Sequence, residues 1–149
     1  MGTVLQQPIA IQPGSGTELK SLGVTHKLTS AQTGGAYYLC EAVFGPESGS
    51  PLHIHHHEDE VIHVLEGEIE IRLDGDNLHA PLGGIVHLPK NIPHALQNPL
   101  KTPLRIMVHA IPGGLEHYFD EVDTALQHGT FNPETHAKIS TKYGLEWLE

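Results

Sequence analysis

The stretch from His53 to Gly67 reads HIHHHEDEVIHVLEG. Side chains on an extended strand alternate between its two faces, so His53 and His55 point the same way. Glu60 follows after four intervening residues, within the run Glu60-Val61-Ile62-His63-Val64-Leu65, where a carboxylate needs a cation or a hydrogen-bond donor. Two histidines and a carboxylate suit a first-row divalent metal. A second segment supplies the rest: Gly83, then Pro89-Lys90-Asn91, His94 and Asn98, with His94 as the fourth ligand.

These spacings resemble the paired motifs of the cupin superfamily. The first motif runs H-x-H, four residues, E, six residues, G, and is matched by His53, His55, Glu60 and Gly67. The second runs G, five residues, P-x-G, two residues, H, three residues, N, and is matched by Gly83, Pro89, His94 and Asn98. Two positions depart from the pattern: Glu47 stands where a glycine is expected six residues before His53, and Asn91 replaces the glycine of P-x-G. Asparagine tolerates a positive φ better than most residues, so the second turn is expected to survive. The resemblance implies an all-β, cupin-type antiparallel β-barrel (a double-stranded β-helix, or jelly-roll).

A chain of 149 residues fits one domain with its own core. The formal charge of −10, from 8 Lys and Arg against 18 Asp and Glu, makes nucleic acid and anionic membranes poor partners. The lone Cys40 lies in an apolar run and reads as a buried core thiol. No N-terminal charged region precedes an apolar one, and no window is long enough to span a bilayer, so a cytoplasmic location is expected. The 13 histidines are not a tag, because the run from His53 to His57 is internal and interrupted by Ile54.

Residues 1–16 read as an arm able to add an edge strand through Ile9 and Ile11, residues 17–112 as the barrel, and residues 113–149 as a helical extension of the same domain. Strands are expected at Thr25 to Thr29, Ala36 to Phe44, from His53 up to a turn at His57, Glu60 to Leu65, Glu68 to Leu73, Leu78 to Leu82, Ile85 to Leu88, from His94, and Leu104 to Ile111. Asp74-Gly75-Asp76-Asn77 reads as a hairpin turn rather than a calcium loop. Around Glu60 both strand faces are apolar, Ile62 and Val64 against Val61 and Leu65, which predicts a second packed layer and a homodimer. After Pro112-Gly113-Gly114 the period becomes helical through Leu115, Tyr118, Phe119, Val122 and Leu126, with Glu116, Asp120, Glu121 and Asp123 opposite. Asn132-Pro133 starts a second helix, Gly144 follows it, and Leu145, Trp147 and Leu148 are expected to dock on the outside of the barrel.

The predicted metal ligands are therefore His53, His55, Glu60 and His94, for one divalent transition metal per chain: iron, nickel, manganese, cobalt, copper or zinc. A pocket that has lost its metal, or a closed structural zinc site, is the competing reading of the same quartet. His56 is expected to face away from the metal side and His57 to lie at the turn. His63 and His87 have no assigned direction, and His109 either reaches the pocket or packs outward. His26, His79, His117, His128 and His136 lie in segments that look exposed. The barrel-mouth candidates by parity are Ile62, Val64, Ile69 and Met107, with Leu115 to His128 as a lid.

Three His and a Glu on a barrel interior leave coordination positions open for a small-molecule substrate, with O2 beside it. The E-D-E run and the P-G-G segment are similar to the quercetinase-like dioxygenase group, which implies Glu60 as both ligand and catalytic base. A non-oxidative isomerase or decarboxylase and a non-catalytic binding module are the alternatives. With only Lys90, Lys101 and Arg105 near the motifs, phosphosugars are disfavoured.

Overall fold

The computed structural model describes residues 6–149, so the first five residues of the expected arm lie outside the described part. Residues 6–16 form no strand, and Ile9 is exposed rather than paired. The expected edge strand through Ile9 and Ile11 is therefore absent, and pairing begins with β1 (Thr17–Leu19) and β2 (Val24–Leu28). A single helical turn, α1 (Ser30–Thr33), leads to β3 (Tyr38–Phe44). Then come β4 (His53–His55), β5 (Asp59–Glu66), β6 (Ile69–Arg72) and β7 (Asn77–Ala80). The barrel closes with β8 (Ile85–Leu88), β9 (Ala95–Gln97) and β10 (Leu104–Ile111).

All pairings are antiparallel. One sheet has the order β1-β2-β3-β10-β5-β8, and a second has β7-β6-β9. Strand β10 sits between β3 and β5 because Leu104, Ile106, Val108 and Ala110 alternate inward with Arg105, Met107, His109 and Ile111 outward. The inward set meets Cys40, Ile62, Val64, Ile69 and Ile71 in the core. The outer face of the same sheet is only partly covered: Leu39, Val61, Leu65 and Met107 are half-buried, while Val43 and Ile85 are exposed.

Both departures from the glycine pattern fall where the backbone is left-handed. Asn91 has φ 68° and Glu47 has φ 56°, and they are the non-glycine residues at positive φ among the described residues. Asn91 N–H donates to the His55 carbonyl at 2.8 Å, so its turn is tied to β4. Gly67 has φ 82°, and a Cβ there would lie 2.9 Å from the Pro103 carbonyl oxygen, so its invariance in the motif pattern has a steric reason here.

The C-terminal part consists of α2 (Leu115–Gln127), α3 (Pro133–Lys142) and β11 (Leu145–Trp147). Leu115, Tyr118 and Val122 pack on the barrel as the helical period predicts. Two of the acidic residues expected on the opposite side are buried instead. Glu116 accepts from the Ser30 and Gly114 amides at 2.9 and 3.2 Å, and Asp123 accepts from Gln127 at 2.7 Å. Asn132 caps α3 by accepting from Thr135 N–H at 2.9 Å, and Gly144 at φ 72° turns the chain out of it. The tail does not dock outside: β11 pairs with β4, the strand carrying His53 and His55. No helix among the described residues is long and apolar enough to cross a membrane.

Asn98 holds the loops at one end of the barrel. Its fully buried amide donates to Gly45 and Thr102 carbonyls at 2.9 and 2.8 Å and accepts from Leu100 N–H at 3.0 Å. Asn98→Ala would leave the Thr102 carbonyl and Leu100 N–H without this partner, while Gly45 keeps its bonds from Ser48, so a loss of about 2–4 kcal/mol is expected. Urea unfolding monitored at unchanged m-value measures it; a loss within experimental error would refute this role.

Candidate metal centre

The four expected ligands come together. His53, His55, Glu60 and His94 are all buried, and one donor atom from each lies within 4.8 Å of every other. β4 presents His53 and His55 on one face with half-buried Ile54 between them, as strand parity requires. Glu60 enters from β5, whose register sets it between Ala110 on β10 and Leu88 on β8. His94 precedes β9 and is locked to His53 by reciprocal backbone hydrogen bonds, each 2.9 Å long.

Each imidazole is oriented through its Nδ1. His53 donates to the Pro51 carbonyl at 2.7 Å, His94 to the Ile92 carbonyl at 3.2 Å, and His55 to the carboxylate of Glu58 at 2.7 Å. These bonds occupy the Nδ1 side of each ring and turn each Nε2 toward the shared centre, where a metal would take its lone pair once His55 has lost its second proton. His55 Nε2 lies 2.9 Å and His94 Nε2 3.5 Å from Glu60 Oε1, without hydrogen-bond alignment. Glu60 Oε1 and His94 Nε2 are consequently buried with no hydrogen-bond partner. Orphaned buried polar atoms are rare and costly, and a cation at their meeting point satisfies both. The donor set fits a divalent transition metal.

The electrostatics describe the same balance. Burial pushes the Glu60 carboxyl up, but His55 and His94 outweigh it and hold the group well below the usual carboxylate range. Burial lowers His55, while Glu60 and Glu58 more than reverse this and raise it to about 10. His53 falls to about 4 through burial and then through its neighbours His55 and His94.

A cavity of about 460 Å³ opens onto this cluster. His53, His55 and Glu60 form one wall, and its other walls include Val24, Ile106, Val108 and Phe44 from the barrel. Leu115, Tyr118, Phe119 and Val122 of α2 cover it, so the helix expected as a lid occupies that position. Neither Lys nor Arg lines it. Cys40 also lines it, and burial raises its thiol to about 12, consistent with an inert core residue.

The parity-based mouth residues are corrected. Ile62, Val64 and Ile69 are sealed in the core, and Met107 faces the opposite side of the sheet. Met107 shares its strand parity with Arg105 and His109, the polar side of β10, and so faces outward; Ile106 and Val108 fill the inward role. His109 also points outward, where burial and nearby His63 lower its pKa. His56 and His57 are exposed, His56 bonding Glu146 and Asn91. His79, His117 and His128 are exposed as expected. His26 is not: it is buried, with Nδ1 2.5 Å from the Tyr38 hydroxyl and Nε2 2.8 Å from Asp120 on α2. His136 is half-buried and 2.7 Å from the Tyr118 hydroxyl. Trp147 and Leu145, expected outside, line the cavity. Glu58 was missed as a partner of His55; the i, i+3 offset across the turn was the available signal.

Residues 41–111 match the cupin domain family, a stretch of under half the 149-residue chain that contains all four candidate ligands. The chain is 30% identical over 74 residues to an uncharacterized protein of Methanocaldococcus jannaschii, covering 50% of this chain and 59% of that one. It is 24% identical over 110 residues to quercetin 2,3-dioxygenase of Bacillus subtilis, covering 74% of this chain and 32% of that one. The chain thus spans less than two thirds of one curated relative and about one third of the other. Among solved structures, the cupin domain of Schizosaccharomyces pombe Cnp3 superposes with a TM-score of 0.56 at 13% identity, covering 85% of this chain and 79% of that one. The fold is the cupin-type antiparallel double-stranded β-helix with two C-terminal helices.

Metal-free His55 holds a proton up to about pH 10, whereas His53 is neutral above about pH 4. Metal entry at neutral pH must therefore expel the His55 proton. About one proton should be released per metal, with affinity rising about tenfold per pH unit below the His55 pKa. Calorimetric titration with Zn2+ in two buffers of different ionisation heat measures the release; zero protons would contradict it. His94→Ala and Glu60→Gln should each weaken binding at least about tenfold, seen as lost metal in elemental analysis.

Proposed function

We propose that the chain is a metal-dependent dioxygenase acting on a small organic substrate that chelates through adjacent oxygens. The observation that carries this reading is the direct continuity between the four-ligand cluster and an apolar, lid-covered cavity. His53, His55, Glu60 and His94 would hold the ion, and the donor set leaves coordination positions open on the cavity side. A divalent metal bound there supplies Lewis-acid polarisation of oxygen donors and, if redox-active, a place for O2 beside the substrate. The chain's own residues do the rest. The walls from β2, β10 and α2 exclude water and orient an apolar body. Glu60, held ionised by its histidines, is placed to take the proton of a substrate hydroxyl.

Similarity to a protein named quercetin 2,3-dioxygenase supports the oxidative reading. The cavity wall supports it further: apart from the candidate ligands it carries no ionised acid–base pair of the kind an isomerase needs, and no cation for a phosphosugar. A buried free thiol suits a reducing, cytoplasmic setting.

The reading includes a homodimer through the outer face of the larger sheet. There Leu39, Val61, Leu65 and Met107 form an apolar field, and Glu41 and Arg105, 2.8 Å apart, offer both charge signs to a second copy. Light scattering after size exclusion should give twice the 16.2 kDa chain mass; monomer alone would remove the dimer.

Iron- or nickel-loaded protein should consume O2 with at least one flavonol, catechol or enediol, and Glu60→Gln should lower that rate about 100-fold or more. An oxygen electrode measures it. Tight ligand binding with no oxygen uptake would instead make the protein a binding module.

A further inference from the structure

The strand carrying His53 and His55 is three residues long. One edge meets the rest of the barrel through the His53–His94 bridge and the Asn91 N–H bond to the His55 carbonyl. Its other edge is paired along its full length by β11, with Leu145 opposite His55, Glu146 opposite Ile54 and Trp147 opposite His53. The pairing runs past both ends of the ladder: His56 N–H donates to the Gly144 carbonyl at 2.8 Å, and Leu148 N–H to the Leu52 carbonyl at 2.9 Å. Glu149 accepts from Leu52 N–H at 3.0 Å, fastening the last residue as well.

Trp147 is the contact between this tail and the ligand set. Its ring lies against the His53 imidazole, centroids 4.8 Å apart and planes at 32°. Its own orientation is fixed by an Nε1–H bond to Ser140 Oγ of 2.9 Å and by His136 on another side, 5.2 Å between centroids. His53 is thereby held twice, through Nδ1 by the Pro51 carbonyl and through its face by the indole. A ligand side chain kept in one orientation loses less freedom on binding a metal.

We propose that the C-terminal strand β11 is a working part of the metal centre, in which Trp147 positions His53 and reports through its indole whether the ligand set is loaded. This rests on the metal reading above and adds a positioning residue to it. Because Trp147 is the single tryptophan of the chain, its fluorescence is an unambiguous reporter of the centre.

The test is a Co2+ titration of metal-free, full-length protein, followed in parallel by ligand-field absorption and by tryptophan emission. In the wild type both signals should saturate together at about one equivalent, with emission quenched by paramagnetic Co2+ and much less by Zn2+. Trp147→Ala should weaken Co2+ binding about tenfold, and Trp147→Phe, which keeps a ring on His53, should recover most of it. Circular dichroism of the metal-free variants checks that the barrel is retained. Saturating absorption with unchanged emission, or a Trp147→Ala protein that binds Co2+ as tightly as wild type, would overturn the proposal. If wild type gives no more absorption than His94→Ala, the metal reading itself fails, and the two failures are told apart in one experiment. If Trp147→Ala does not fold, the Co2+ affinities of Trp147→Phe and Trp147→Leu carry the positioning test: a Leu variant that binds as tightly as the Phe variant would overturn it.

Discussion

Two buried atoms without partners, Glu60 Oε1 and His94 Nε2, constrain everything around them. Removing a carboxylate and three imidazoles from water costs several kcal/mol per charge unless each is compensated. Here compensation is complete on the outer side of the rings, where every Nδ1 finds an oxygen, and incomplete at the centre. The barrel can therefore be read as a device for holding three Nε2 lone pairs and one carboxylate at a common point while keeping that point dry. β10 performs much of this, since its inward residues seal the core beneath Glu60 and its register fixes where Glu60 stands.

The candidate ligand set was legible because its information is local. His53 and His55 share a face by strand parity alone, and the spacings to Glu60, Gly67, His94 and Asn98 repeat a known pair of motifs. The helices were legible for a similar reason: Leu115, Tyr118 and Val122 recur at helical spacing, and Asn132 caps its own helix. What could not be read depends on register between distant segments. The face of Met107 was legible after all, since it shares its parity with Arg105 and His109, but which strands β10 lies between, β3 and β5, comes only from the pairing. His26 looks like an exposed strand residue until Asp120, 94 positions away, arrives on α2 to bond it. Trp147 has the composition of a docking tail, and nothing local reveals that its partner is the ligand strand.

The polar contacts of α2 deserve the same reading as its apolar ones. Glu116 is held by Ser30 and Gly114, and Asp120 by His26, which in turn meets the buried Tyr38 hydroxyl. The helix covering the cavity is thus fastened to the barrel at two polar points as well as along its apolar stripe. Shape and attachment of the lid are set by different residues, so either can vary without the other.

The pairing of β4 with β11 joins segments near the middle and the very end of the chain. Contacts between segments so far apart carry a large loop-closure cost and tend to form late in folding. Were this pairing to form after the folding barrier, an ion that needs His53 in place would bind only past it, and its stabilisation would appear as slower unfolding with the folding rate little changed. For such a chain the bound ion acts as a kinetic lock, and resistance to heat or proteolysis over time becomes a property of occupancy as much as of sequence.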